Sequence, residues 1–208
     1  MGTEDAAELI AELKEQRSEQ EQGARFNSVA ALIIATMAAV LAIGGLGGGN
    51  ATDDMVLNTI RASDTWAFYQ AKNVRQTMYE IELAELEGQL PQAGANRAAL
   101  EARIAEAKAT IARYDDEPDA TAPNDPLRGE GKKQLKAQAR TFEAARDAAS
   151  SRDDNFDLAE MLLQLALVLG SVAILASNRT VLVAASALGA VGAVLTLNGF
   201  ALLFPLPF

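Results

Sequence analysis

FNSVAALIIATMAAVLAIGGL, residues 26–46, decides the fold. It carries no charge, and only Asn27, Ser28 and Thr36 are polar. A helix of ~20 apolar residues, at ~1.5 Å per residue, matches the ~30 Å hydrocarbon core of a bilayer. Leu158–Ser177 and the stretch from Val181 to about Phe204 read alike. Three such stretches, rich in Ala and Leu, predict an all-α membrane protein with three transmembrane helices. An extramembrane helical body of coiled-coil character is expected between the first and second spans.

Working outward from residue 46, Gly44, Gly45, Gly47, Gly48 and Gly49 are expected to break the first span or give it a flexible exit. They form no phosphate loop, because the Gly-Lys-Ser/Thr ending is missing and a helix, not a strand, precedes them. Small residues recur every three or four positions in all three spans. Ala31, Ala35 and Ala39 mark the first, Ala166, Gly170 and Ala173 the second, and Ala185, Gly189 and Ala193 the third. Such faces let helix backbones approach closely. Asn198 is the one strongly polar group of the third span and is expected to hydrogen-bond across helices. Glu160 and Gln164 lie one turn apart near the start of the second, so Glu160 reads as interfacial or as a buried, functional carboxylate. Asn178-Arg179 makes a tight turn that folds spans two and three into an antiparallel hairpin.

Four segments follow: an acidic tail over 1–25, the first span with its Gly-rich exit over 26–49, the body over 50–156, and the hairpin over 157–208. The tail bears one short apolar stripe, Leu9, Ile10 and Leu13, and is too acidic to open a secretory signal. An odd number of crossings puts the tail and Arg179 on one side and the body and C-terminus on the other. Lys14, Arg17, Arg25 and Arg179 favour a cytoplasmic tail and a body on the other side.

Within the body, residues 53–90 read as a long helix that Asp53 or Asp54 caps. Ala67, Ala71, Val74, Met78 and Ile81 follow the 4-3-4-3 spacing of a coiled-coil seam. Tyr79, Leu83, Leu86 and Leu90 carry an offset register, and Gly88, Pro91 and Gly94 end the helix. Residues 95–114 form a second helix with the seam Leu100, Ile104, Ala107, Ile111 and Tyr114, giving an antiparallel hairpin. Asp115–Pro126, with three prolines and several acids, reads as a solvated loop. Residues 128–156 form a third helix, with Leu135, Ala139, Phe142, Ala149 and Phe156 near one face. Arg146 interrupts that face and is expected to seek an acid such as Glu80, Glu82 or Glu85.

Trp66-Ala67-Phe68-Tyr69-Gln70-Ala71-Lys72-Asn73-Val74-Arg75 gathers the only Trp, two more aromatics and two cations. Lys72 lies three or four residues after Phe68 and Tyr69, within cation–π reach on a helix. Trp66, Phe68, Tyr69, Lys72 and Arg75 therefore form the candidate interaction surface, set against ordinary packing or anchoring at a membrane interface. Candidate helix-packing positions are Ala31, Ala35, Ala39, Gly170, Gly189 and Asn198.

Composition closes off most chemistry. The chain has neither Cys nor His. Disulfides, thiolate nucleophiles, imidazole bases and the usual zinc and haem ligand sets are therefore absent. The clusters Asp115-Asp116-Glu117 and Asp153-Asp154 lack calcium-loop spacing and read as solvated charge. The formal charge is -10, and no segment is strongly basic, so nucleic acid is not an expected partner. No enzymatic activity, metal or cofactor is expected.

The motifs Trp66–Arg75 and Phe156-Asp157-Leu158-Ala159-Glu160, in a chain ordered as tail, span, charged body and two-span hairpin, resemble an uncharacterised bacterial membrane family labelled domain of unknown function 4337. The resemblance covers nearly the whole chain. It implies an integral protein of the bacterial inner membrane with this topology, and it brings no activity or catalytic residues. Members typically carry His-rich tails, whereas this tail has no His. The expected role is structural: an oligomeric scaffold or an accessory subunit of a larger membrane complex, partnered by lipid, by itself or by other subunits. The alternative is an oligomeric channel or transporter-like assembly lined by Thr36, Gln164 and Asn198.

Overall fold

The computed structural model describes residues 3–206, with side chains described from Glu12 onward. The Leu9 and Ile10 side chains of the tail stripe lie outside the described residues, and Leu13 is exposed. The described chain is helical, without a β-strand. Its helices are α1 (Thr3–Gln89), α2 (Arg97–Asp115), α3 (Lys132–Leu175) and α4 (Arg179–Ala201). Two compact units divide it: residues 1–52 with 149–208, and residues 53–148. α1 and α3 contribute to both.

In the first unit, parts of α1 and α3 pack with α4. Ala30, Ala173 and Leu182 form one buried cluster, with Phe26, Ile33 and Ile174 against it. Met37, Leu163 and Ala166 form a second, with Val40, Leu41 and Leu188 around it. The close approaches are glycine holes that receive large side chains. A Cβ added at Gly170 would stand 2.9 Å from Ile34 Cγ1, and one at Gly189 would stand 2.6 Å from Met37 Cε. The partners of these two glycines sit on α1, so α1 turns Ala30, Ile34 and Met37 inward. Ala31, Ala35 and Ala39 are exposed.

The glycine segment does not break α1, which runs through Gly44–Gly49 as helix. Each interior helical Gly costs roughly 1 kcal/mol against Ala. Here two of them make room for an aromatic ring. A Cβ at Gly47 would lie 2.5 Å from Phe156 Cζ, and one at Gly48 would lie 3.2 Å from Phe156 Cβ. Gly199 of α4 meets the same ring, and Phe200 stacks edge-on against it at 4.9 Å between centroids. The expected flexible exit is therefore a packing surface. With no helix start at residue 53, Asp53 and Asp54 cap nothing. The α3–α4 turn ends on Asn178, whose side chain accepts from the backbone N–H of Thr180 and Val181 and so caps α4.

In the second unit, α2 folds back along α1. Gly94, at φ +50°, and Pro91 shape the connection. Ile104 and Ala107 are the buried residues of α2. The first part of α3 buries Leu135 and Ala139. α1 differs from the expected seam. Val74, Met78 and Ile81 are 54%, 64% and 57% exposed, and Ala67 and Ala71 are exposed too. The inward face instead carries Ala62, Lys72, Gln76 and Leu86. Two of these are polar, so a hydropathy pattern hides the packed side. Arg146 pairs with its neighbour Asp147 at 2.7 Å, not with Glu80, Glu82 or Glu85; Glu82 accepts from Arg103 of α2 at 2.8 Å.

Candidate functional site

The Trp66–Arg75 turns of α1 lie in the second unit, and their side chains divide between interior and surface. Trp66 donates its indole N–H to Glu143 of α3 at 2.9 Å. Tyr69 meets the Trp66 ring edge-on, at 5.4 Å between centroids and 78° between planes. Lys72 is 5% exposed. Its ammonium donates to Glu117 Oε2 at 2.9 Å and stands 3.8 Å from Glu130 Oε2. The rings of Phe68 and Tyr114 approach it at 5.4 and 5.7 Å. A desolvated ammonium needs both kinds of partner: carboxylates to offset lost hydration, and ring faces that attract a cation. Phe68 is part-exposed at 39%, and Arg75 is exposed. Arg75 lines an open groove with Met78, Tyr79, Glu82 and Tyr114.

Lys72 holds down the loop whose prolines and acids predict a solvated segment. Residues 116–131 close on a single antiparallel bridge between Pro118 and Gly129. Gly129, at φ +123°, and Gly131 both pass where a Cβ would strike the loop backbone. Asp116 accepts from the Gln134 amide and the Lys133 ammonium. These bonds, Gln134's first, hold its carboxyl below the usual aspartate range. Asp119 accepts from the hydroxyl and backbone N–H of Thr121 and is lowered for that reason. Glu117 and Glu130 escaped the sequence because they lie 45 or more residues from Lys72, and spacing carries no signal at that range.

The first unit holds a second polar knot. Asn198 is buried, donates to Asn155 Oδ1 at 2.7 Å and to the Phe204 carbonyl at 2.9 Å, and accepts from the Phe204 N–H at 3.1 Å. Asn155, equally buried, donates to the Ser151 carbonyl. Asn198 thus bonds across helices, and the Asn155 partner had gone unread beside Phe156. Thr36 and Gln164 are exposed and make local bonds to Leu32 and Glu160; Glu160 is itself exposed.

These side chains fasten one part of the chain to another. Lys72 is ion-paired, and Asn198 uses both of its amide hydrogens and its carbonyl oxygen. What the fold defines is an all-helical protein with three helices long and apolar enough to cross a membrane. Residues 26–202 match the family described as Domain of unknown function (DUF4337), and the chain belongs to that family. No curated protein and no solved structure matches it.

Proposed function

We propose that this chain is an integral protein of the bacterial inner membrane that crosses the bilayer three times. In this reading it serves as an oligomeric scaffold or as an accessory subunit of a membrane complex, without catalysis of its own. One observation carries the membrane reading. The apolar windows of the three long helices are only 17%, 28% and 33% buried inside the chain. Val29, Leu32, Ile43 and Leu46 of α1, Val168 and Val172 of α3, and Val183 and Leu197 of α4 all face outward. Water does not tolerate that much contiguous apolar surface, and lipid does. The structural role is supported by side chains that end in one another and by an outward apolar face on α1 in the second unit.

In this topology the N-terminal tail and Arg179 face the cytoplasm and the body, residues 50–156, the periplasm. Native mass analysis in mild detergent tests the assembly. Oligomers or a stoichiometric partner are expected, and a bare monomer overturns the scaffold reading.

A further inference from the structure

We propose that the outward face of α1 from Leu57 to Ile81 packs against the same face of a second copy. The two helices lie side by side, run in the same direction and meet in register. This deepens the scaffold reading and rests on it.

The face is a heptad seam left bare by its own chain. Leu57 and Ile60 are 44% and 52% exposed. The three-four spacing continues through Asp64 and Ala67 to Ala71, Val74, Met78 and Ile81, and every one of these positions is exposed. The opposite side of α1 carries Ala62, Lys72 and Gln76, buried within the chain. The helix thus has two packing sides, and its own chain covers one of them. A contiguous apolar face of this kind marks a contact with another surface.

The direction and level of the contact follow from α1 itself. It is one unbroken helix from Thr3 to Gln89, so it joins the apolar span at 26–46 to this face. Copies in one bilayer hold that span at the same depth and leave it on the same side. Residue 60 of one α1 therefore stands level with residue 60 of the next. A different protein would need its own apolar face at that height, whereas a second copy already has one. Apart from Leu127, every large exposed hydrophobic residue of the second unit lies on α1. A second copy therefore has this face to offer in return.

Pairing in register sets Leu57, Ile60, Val74, Met78 and Ile81 each against its own kind. The Ala67 and Ala71 layers between them let the backbones close up. Asp64 is the one charged residue of the seam and meets Asp64 of the second copy. Two carboxylates alone would repel. Arg61, three positions earlier, lies at the edge of the seam, so each copy brings one Arg61 beside one Asp64 and the layer is neutral as a whole. Among the described residues, neither Arg61 nor Asp64 makes an ion pair within the chain; Arg61 lies over the Phe142 ring at 5.9 Å. A polar layer in an apolar seam costs some affinity and fixes the register.

The absence of cysteine gives a clean cross-linking test on the full chain in isolated membranes. Ile60→Cys and Met78→Cys are each expected to form a disulfide dimer on mild oxidation. Differently tagged copies of these two variants, made together, are expected to give no mixed dimer, because the two positions lie roughly 27 Å apart along the helix. Leu127→Cys, exposed but off the seam, is expected to stay uncross-linked. The proposal is overturned by the absence of dimer from both seam variants, by mixed dimers as abundant as the like ones, or by Leu127→Cys dimers as abundant as those of the seam. Charge gives a second test. Asp64→Arg and Arg61→Asp are each expected to weaken self-association about tenfold or more, and to pair with one another when mixed. Both positions are exposed, so circular dichroism should show an unchanged fold, and undiminished self-association of Asp64→Arg also overturns the pairing. An oligomer or partner complex in native mass analysis, with no cross-link at residue 60 or 78, removes the seam and leaves the scaffold reading standing. A wild-type monomer without partner removes both.

Discussion

Gly47 and Gly45 are two residues apart on α1 and should answer oppositely to the same substitution. A Cβ at Gly47 runs into Phe156 and also comes within 2.9 Å of Phe200 Cζ, whereas one at Gly45 meets nothing within 4 Å. Gly45→Ala is expected to stabilise by ~0.5–1 kcal/mol, through helix propensity alone. Gly47→Ala should destabilise by ~1–3 kcal/mol, because two packed rings must move. Thermal unfolding in detergent, followed by circular dichroism, compares them. Equal shifts would mean that the glycines serve flexibility and not the Phe156 contact. Lys72 permits a second test. Glu117 is about one-third exposed, so water screens part of the pair, and Lys72→Met should cost ~1–3 kcal/mol. With Glu117→Gln added, the loss should fall short of the sum of the single losses, since both changes break one bond. Simple additivity would show that the ion pair does not fasten the loop. Neither change touches the outward face, so assembly should persist in both.

At the scale of elements, the loop 116–131 should be the acid-sensitive part of the second unit. Asp116 and Asp119 are both lowered in the folded chain, by hydrogen bonds to Gln134 and Lys133 and to Thr121. A lowered carboxyl contributes stability that is complete above its unfolded value near pH ~4 and is lost as pH falls through the folded value. Hydrogen exchange across 116–131 should therefore rise below about pH 4, ahead of exchange in α2, and Asp116→Asn should raise it already at neutral pH. Uniform acid response along the second unit would contradict this. Much of the element pattern was legible. The α2 positions Ile104 and Ala107 and the α3 positions Leu135 and Ala139 announced their inward faces, and Pro91 and Gly94 announced the hairpin turn. The inward face of α1 was not legible. It relies on Lys72, which becomes a packing residue only once a loop far along the chain supplies Glu117 and Glu130, and on Gln76, which donates to the Ile111 carbonyl of α2. A heptad shows that a face is apolar and does not show what covers it, and the exposed Ala67–Ile81 seam is such a face. The glycine run misled for a related reason, since composition cannot reveal a ring waiting at residue 156.

For the whole molecule, the decisive quantity is where its apolar surface goes. Large hydrophobic residues remain exposed along each long apolar helix, among them Leu46 at 74% and Leu175 at 87%. In the proposed membrane reading, burial in lipid would remove that cost and hold Arg179, at the turn between α3 and α4, at an interface. Three crossings, as proposed, would fix a parity that is open to test. A reporter fused at residue 120 and one fused after residue 178 must report opposite sides of the membrane, whichever side is the cytoplasm. The Lys14, Arg17, Arg25 and Arg179 bias predicts that a reporter active only in the periplasm will be active at residue 120 and silent after residue 178. The protein should also stay with membranes through an alkaline wash, because helices that span the bilayer are held by burial and not by surface charge. Release by that wash would overturn the three-crossing reading, and so would reporters that give the same answer at both positions.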